Sequence, residues 1–316
     1  MKLIIQPTPH LRSKNSTAKI MLNVVIAALP AMAASVHFFG SAAATLIAVC
    51  VASCVIFEAG FRRLIGRSNS IDDLSAVVTG VILALNLPPT LPPYLAVIGS
   101  FVAIVVTKEM FGGLGQNFAN PAAVGRIVLM LSFPAAMSVY AAPYFFKDVA
   151  EAADAVTAAT PLAMTAAEMP SLWDLFVGNH AGSLGETSAA ALLIGFVYLL
   201  AMRIIRPITP VAFVTTIAVG TYLLTGDLRT VLETLLTGGI LLGAVFMVTD
   251  YVTNPMSALG KIIFGVGCGI ISVVIRQYGG MPEGVIFAIL TMNVLTPTID
   301  RLSRPRPFGT SRRGTK

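Results

Sequence analysis

Hydroxyl, carboxylate and glycine crowd together in Gly182-Ser183-Leu184-Gly185-Glu186-Thr187-Ser188-Ala189, just ahead of an apolar run. Two chemistries suit this spacing. Ser183-x-x-Glu186 has the form of a capping box, in which the serine caps the coming helix and the glutamate reaches back. Thr187, in the first turn of that helix, is also a point of attachment. A phosphate esterified to its hydroxyl would meet unpaired backbone N–H groups and the positive end of the helix dipole. Gly182, Gly185 and Ala189 are small enough to admit a bulky group. Physical chemistry alone ranks the cap first, and the two readings are compatible.

Two Asn-Pro dipeptides form a second group of interest, Asn120-Pro121 and Asn254-Pro255. Each precedes an apolar run, with Asn placed to cap and Pro at an early helical position. That leaves Gly112, Gly113 and Gly115 unexplained, since glycines permit close backbone approach to a planar ligand. Arg126 and Asp250 fall near membrane depth, where charges are costly and often functional. Other patterns carry less. Gly112-Gly113-Leu114-Gly115 lacks the G-x-G-x-x-G spacing of a dinucleotide fingerprint. His10, His37 and His180 are too scattered for a metal site. Cys50, Cys54 and Cys268 all lie in apolar segments and read as small buried hydrophobes, not as a disulfide framework or iron–sulfur motif. Gly265 and Gly269 form a small-xxx-small pair suited to close helix packing.

The elements that must position these residues are membrane helices. Charged residues are 11% of the chain, against about 25% in soluble domains, and the mean hydropathy is +0.83. About ten apolar segments approach the length of a span, over 20–38, 41–58, 74–87, 92–110, 120–136, 187–203, 209–225, 230–249, 260–277 and 284–300. Some are short, and Pro88, Pro89, Pro92, Pro93, Pro121, Pro255 and Pro282 predict broken helices, tolerated where protein or a cavity satisfies the backbone. The expected fold is all-α and polytopic, built as two inverted five-helix repeats. Residues 1–136 hold the N-terminal tail and first repeat, 137–186 an extracytoplasmic segment, and 187–316 the second repeat and a basic tail. No cleavable signal peptide is evident.

Lys and Arg orient the bundle. They cluster before the first span (Lys2, Arg12, Lys14, Lys19), after the second (Arg62, Arg63, Arg67), after the sixth (Arg203, Arg206) and in the tail from Arg301 to Lys316. The segment 137–186 has Lys147 against Asp148, Glu151, Asp154, Glu168, Asp174 and Glu186. Both termini are therefore expected in the cytoplasm and Thr187 near the outer face. The net charge of +6 reflects this topology and does not indicate nucleic acid. Trp173 and Phe176, in the outer segment, either rest at the membrane interface or cover a bound ring.

Four stretches carry a family resemblance: Gly-Glu-Thr-Ser at 185–188, Gly-Gly-Leu-Gly-Gln-Asn-Phe-Ala-Asn-Pro-Ala-Ala at 112–123, Phe-Met-Val-Thr-Asp-Tyr-Val-Thr-Asn-Pro-Met-Ser at 246–257, and Gly-Gly-Met-Pro-Glu-Gly-Val at 279–285. Together, and in this order, they resemble the D subunit of the Rnf (Rsx) ion-translocating electron-transport complex. That protein is itself similar to the B subunit of sodium-translocating NADH:quinone reductase. The resemblance runs from the basic N-terminus to about Phe308. It implies FMN bound covalently to Thr187 through a phosphodiester, attached by a separate flavin transferase on the outer side. It also implies a second, non-covalent flavin (riboflavin) in the bundle, for which the segments holding Gly112, Gly113, Asn120 and Asn254 are candidates; Ser183 and Glu186 flank the first. The expected role is a redox subunit of a bacterial inner-membrane translocase, not a stand-alone enzyme, receiving electrons from an outer-face flavoprotein subunit. A flavin carrier needs no acid, base or nucleophile from the chain for its redox step. The rival class is a small-solute channel or carrier, because inverted repeats and broken helices serve such proteins too and fold alone does not decide.

Overall fold

The computed structural model describes residues 16–145, 161, 169–279 and 284–304, all helix and connecting loop. Lys2, Arg12, Lys14, Arg306, Arg312, Arg313 and Lys316 of the tails, Lys147 through Asp154, Glu168, Gly280 and Pro282 lie outside the described residues.

The N-terminal half opens with α1 (Thr17–Phe39), capped by Ser16, and α2 (Ser41–Leu64), joined through Gly40 at φ 63°. Then come α3 (Ser75–Leu85), α4 (Pro93–Phe101) running on as a π-helix (Val102–Glu109), α5 (Pro121–Ser132) and the short α6 (Pro134–Met137). A short outer helix, α7 (Leu172–Val177), precedes the C-terminal half. That half comprises α8 (Ala189–Ala201), α9 (Ile208–Thr225), α10 (Leu228–Leu236), α11 (Ile240–Leu242) with a π-helical extension (Gly243–Met247), α12 (Ala258–Tyr278) and α13 (Val285–Leu302). Every expected span contains one of these helices. Unbroken crossings are fewer than ten: α1, α2, α9, α12 and α13 are long and apolar enough alone, and α10 with α11 makes one span bent by 64°.

The short members are α3, α5 and α8, of 11, 12 and 13 residues. At about 1.5 Å per residue they cannot cross a hydrocarbon core of about 30 Å. Leu87-Pro88-Pro89 stops α3, because proline disfavours helical backbone in the residue before it. The freed carbonyls are not abandoned. Gly185 N–H donates to Leu85 O at 2.6 Å and Leu184 N–H to Leu87 O at 3.0 Å. A parallel arrangement serves the bend after α10. The guanidinium of Arg276 donates to the carbonyls of Thr234, Thr237 and Gly238 at 3.3, 3.2 and 2.8 Å. Non-helical backbone at this depth survives only when so satisfied.

Between the halves, α1 packs on α8 and α5 on α13. The α1–α8 contact is tight, since a Cβ on Gly195 would stand 2.2 Å from Ala27 O. Exposed Leu29, Val36, Ile56, Val197, Leu223 and Ile270 clothe the outside of the long helices with apolar surface. One end of the bundle gathers the start of α1, the end of α2, the 110–120 and 248–257 links and the end of α13. It is bound by Arg62–Glu109 at 2.9 Å, Arg67 to Gly112 O at 3.1 Å and Met256 N–H to Asp300 at 2.9 Å. Lys19, Arg62, Arg63, Arg67, Arg203, Arg206, Lys261, Arg301 and Arg304 are at this end. The other end carries α7, Asp174, Glu186, Asp227 and Glu233, together with two arginines, Arg229 paired to Glu233 at 2.8 Å and Arg276 on the Gly238 turn.

Candidate functional site

Two sites emerge, one near each end. At the acidic end, residues 183–188 form a turn clamped between α1, α3 and the α10–α11 bend. Ser35 on α1 donates to Leu184 O. Glu186 reaches back to the Ser183 N–H at 3.3 Å and Ser183 Oγ at 2.9 Å, and its other oxygen accepts from the Gly238 N–H. The cap of α8 is not Ser183, however. Ser188 accepts from the Ala191 N–H at 3.3 Å. The Ser-x-x-Glu pair closes a separate turn one step earlier, because Leu184 and Gly185 must first supply their N–H groups to the end of α3. The small residues likewise serve packing. A Cβ on Gly185 would lie 2.7 Å from Leu85 Cβ, so this glycine admits α3, not a ligand.

Thr187 lies one residue before the Ser188 cap of α8, not in the first turn of the helix as expected, and it is fully buried. Its hydroxyl donates to Leu184 O at 3.2 Å. The end of α7 packs against its backbone: Gly178, at φ 116°, lies so close that an added Cβ would stand 2.5 Å from the Thr187 carbonyl oxygen. A hydroxyl just ahead of a helix start fits a phosphodiester chemically.

The second site is a narrow cleft of about 80 Å³ at the basic end between the two halves. Ile20, Val24, Val78, Ile82, Val245 and Phe246 give it apolar walls, and Asn117, Asn120, Lys108 and Asp250 give it polar groups. Mostly apolar walls with a few convergent polar groups are what a flat organic cofactor needs. Asn120 caps α5 as expected, accepting from the Ala122 and Ala123 N–H groups at 3.1 and 3.2 Å. Asn254 does not cap α12. Ser257 does so, and Asn254 donates instead to Val248 O at 2.9 Å and Thr209 at 3.2 Å, away from the cleft wall. Gly112 and Gly113 also stay outside the wall. Their φ values are 123° and 99°, and added Cβ atoms would meet Gln116 and Arg62, so turn geometry and local packing require them. Asp250, half-buried in the loop, accepts from Thr253 at 3.0 Å and Val252 N–H at 3.4 Å; burial raises its pKa against the smaller lowering effect of those bonds.

Lys108 and Glu58 escaped the sequence reading. Lys108 is 2% exposed and donates to Glu58, itself fully buried, and to Ser75 Oγ at 2.6 Å. Ser70 also donates to Glu58. A charge inside an apolar run was the available signal for each, but their pairing across α2 and α4 was not. Arg126, deep in the bundle, donates to Asn86 Oδ1 at 3.0 Å.

A family model described as the NQR2, RnfD, RnfE family matches residues 4–309. Among similar proteins, the D subunit of the Na(+)-translocating ferredoxin:NAD(+) oxidoreductase complex of Acetobacterium woodii is 44% identical, over 99% of this chain and 97% of that protein. The D subunit of the proton-translocating ferredoxin:NAD(+) oxidoreductase complex of Clostridium ljungdahlii is 39% identical, over 98% and 96%. The D subunit of the ion-translocating oxidoreductase complex of Stutzerimonas stutzeri is 38% identical, over 95% and 94%.

Proposed function

The chain belongs to the NQR2, RnfD, RnfE family, and on that premise we propose that it is an electron-carrying membrane subunit of an ion-translocating oxidoreductase complex, bearing FMN on Thr187. The observation that carries this reading is the position of Thr187: a hydroxyl just ahead of α8, in Gly-Glu-Thr-Ser, at the end of the bundle opposite the basic residues. The basic end then faces the cytoplasm of a bacterial inner membrane and Thr187 the outer side. The chain is two five-helix halves, 1–136 and 187–316, with inverted orientation. In support, α1 packs on α8 and α5 on α13, the pairings a two-fold axis in the membrane plane would generate.

The chain's part in this chemistry is positional. Glu186 has both oxygens engaged by Ser183 and Gly238, so it shapes the turn and is no base for Thr187. Attachment would be a transfer catalysed by a separate flavin transferase, in which a bond from Thr187 Oγ1 to the flavin phosphorus would form as the anhydride bond of a flavin dinucleotide breaks, the other nucleoside monophosphate leaving and the hydroxyl proton passing to solvent. Because Thr187 is fully buried, this transfer would need the turn at 183–188 to be exposed when it takes place. Once bound, the flavin supplies one- and two-electron redox chemistry. The inner cleft suits a second, non-covalent flavin such as riboflavin, with Asn117, Asn120, Lys108 and Asp250 as the groups available to its polar edge. Electrons would arrive from an outer-face flavoprotein subunit and pass through the complex.

Co-expression with a flavin transferase tests the central claim. A denaturing gel should show an ultraviolet-fluorescent band that vanishes in Thr187→Val. A dark wild-type band rejects covalent flavin and favours the channel or carrier reading.

A further inference from the structure

At the basic end of α2, Arg62, Arg63 and Arg67 line one open hollow of about 330 Å³, together with Ala59, Gly60 and Asn69. A backbone turn brings the arginines together. Gly66, at φ 68°, donates its N–H to Arg63 O at 3.3 Å, and Arg67 N–H donates to Arg62 O at 2.9 Å. This glycine cap folds the chain back over the last turn of the helix. Two of the guanidiniums are then tied to the 109–113 link, Arg62 to Glu109 at 2.9 Å and Arg67 to Gly112 O at 3.1 Å. Arg63 makes no hydrogen bond or ion pair with the described residues. Glu109 balances one of the three charges, and no carboxylate lines the hollow. Membrane orientation is served by arginines anywhere at this end. It does not require three of them to converge on one concavity, where an anion between them would relieve their repulsion.

The surface leading to the hollow is apolar. Ala44, Ala48, Ala52, Ile56, Gly60 and Leu64 follow one another four residues apart along α2, and all are exposed. That spacing keeps them on one face of the helix, a single stripe that ends at the arginines. Leu64 is 85% exposed and Ile65 44%, within the basic cluster itself. At its far end the stripe borders an apolar groove of about 900 Å³ between α1 and α2, walled by Leu29, Met32, Val36 and Ile47. The geometry points to a site for an anionic phospholipid, with its phosphate between Arg62, Arg63 and Arg67 and an acyl chain along the α2 stripe towards the groove. This inference does not depend on what Thr187 carries. A guanidinium presents paired N–H donors that match two phosphate oxygens, and basic pockets between membrane helices hold lipid headgroups. A free phosphate would use the arginines alone; the apolar stripe is what selects a lipid.

The test uses full-length protein in detergent, titrated with phosphatidylglycerol or phosphatidylcholine and read by native mass spectrometry. Three proteins are compared: wild type, the double variant Arg63→Gln with Arg67→Gln, and Gly60→Phe. Arg62 is left in place because it pairs with Glu109. An added Cβ on Gly60 meets nothing within 4 Å, so phenylalanine there fills the hollow and keeps every charge. Unfolding midpoints in lipid-free detergent check that both variants fold. Wild type should retain phosphatidylglycerol in preference to phosphatidylcholine. The double variant should bind phosphatidylglycerol about thirtyfold more weakly, about fivefold for each basic residue removed, and Gly60→Phe should lose the preference. Equal retention of the two lipids by wild type overturns the proposal. So does a Gly60→Phe protein with its preference intact, because the charges would then act as a diffuse patch. Displacement of the lipid by an equal concentration of inorganic phosphate would overturn it in favour of a soluble anion. In the intact complex, a double variant that loses subunits but keeps its phosphatidylglycerol content would overturn it in favour of an acidic segment of a partner chain.

Discussion

Replacing Glu58 by leucine removes one charge from a pair whose side chains are 0% and 2% exposed. The Lys108 ammonium would keep Ser75 Oγ at 2.6 Å but lose its counter-charge in a site with almost no water contact. Breaking a buried pair in this way costs about 3–5 kcal/mol. Retention of Ser75 as an acceptor argues for the lower part of that range. Lys108→Met should do comparable damage by stranding Glu58, whose remaining donor is Ser70. The double variant, with both charges replaced by apolar groups of similar size, should recover most of the loss, because the desolvation penalty disappears with the charges. The assay is a double-mutant cycle read by thermal unfolding of detergent-solubilised protein, ranking the midpoints of wild type, both single variants and the double. Two single losses of about 3 kcal/mol each against a double-variant loss of about 1–2 kcal/mol give an expected coupling of about 4–5 kcal/mol. A double variant as unstable as the two losses added together refutes a mutually neutralising pair.

Packing and titration give further outcomes. Gly195→Ala places a Cβ 2.2 Å from Ala27 O; α1 and α8 must part, at a cost of about 1–3 kcal/mol, seen as a lower unfolding midpoint. Gly60→Ala has nothing within 4 Å and lies in α2, so the same measurement should show a gain of about 0.5–1 kcal/mol. The Asp250 carboxyl has a raised pKa from burial, so the folded state holds its proton to higher pH than the unfolded chain. Its contribution to stability then falls as pH rises from the ordinary carboxylate value to the raised one. Asp250→Asn should flatten that part of a midpoint-against-pH curve and raise stability at neutral pH; an unchanged slope would reject the linkage.

Much of the architecture follows from residue types read locally. Leu87-Pro88-Pro89 announces the end of α3, Asn120-Pro121 the capped start of α5, and Lys and Arg clusters the common end of the bundle. Where local pattern misled, a distant partner had decided the matter. Ser183-x-x-Glu186 has the spacing of a helix cap, but the N–H groups of Leu184 and Gly185 are claimed by α3, which postpones the helix to Ser188. Asn254-Pro255 copies the earlier dipeptide, yet Thr209 and Val248 O draw its amide aside and Ser257 takes over the cap. Lys108 meets Glu58 across fifty positions of chain, a pairing no window along the sequence displays. The close packing of Gly178 on the Thr187 backbone belongs to the same class.

Apart from the Lys108–Glu58 pair, three buried charges share one physical origin. Arg126 reaches Asn86, the residue that ends α3, and so places a cation at the negative end of a helix broken inside the bundle. Arg276 covers carbonyls left by the end of α10 and its turn. Glu186 stands two residues before the cap of α8, at the positive end of a short helix. Each charge complements a helix terminus that breaking has exposed within the protein. The break after α3 is closed from outside its own half, by the N–H groups of Leu184 and Gly185, and the break after α10 by Arg276 of its own half together with Glu186. The turn at 183–188 is therefore held by both broken helices, and Thr187 lies at its end.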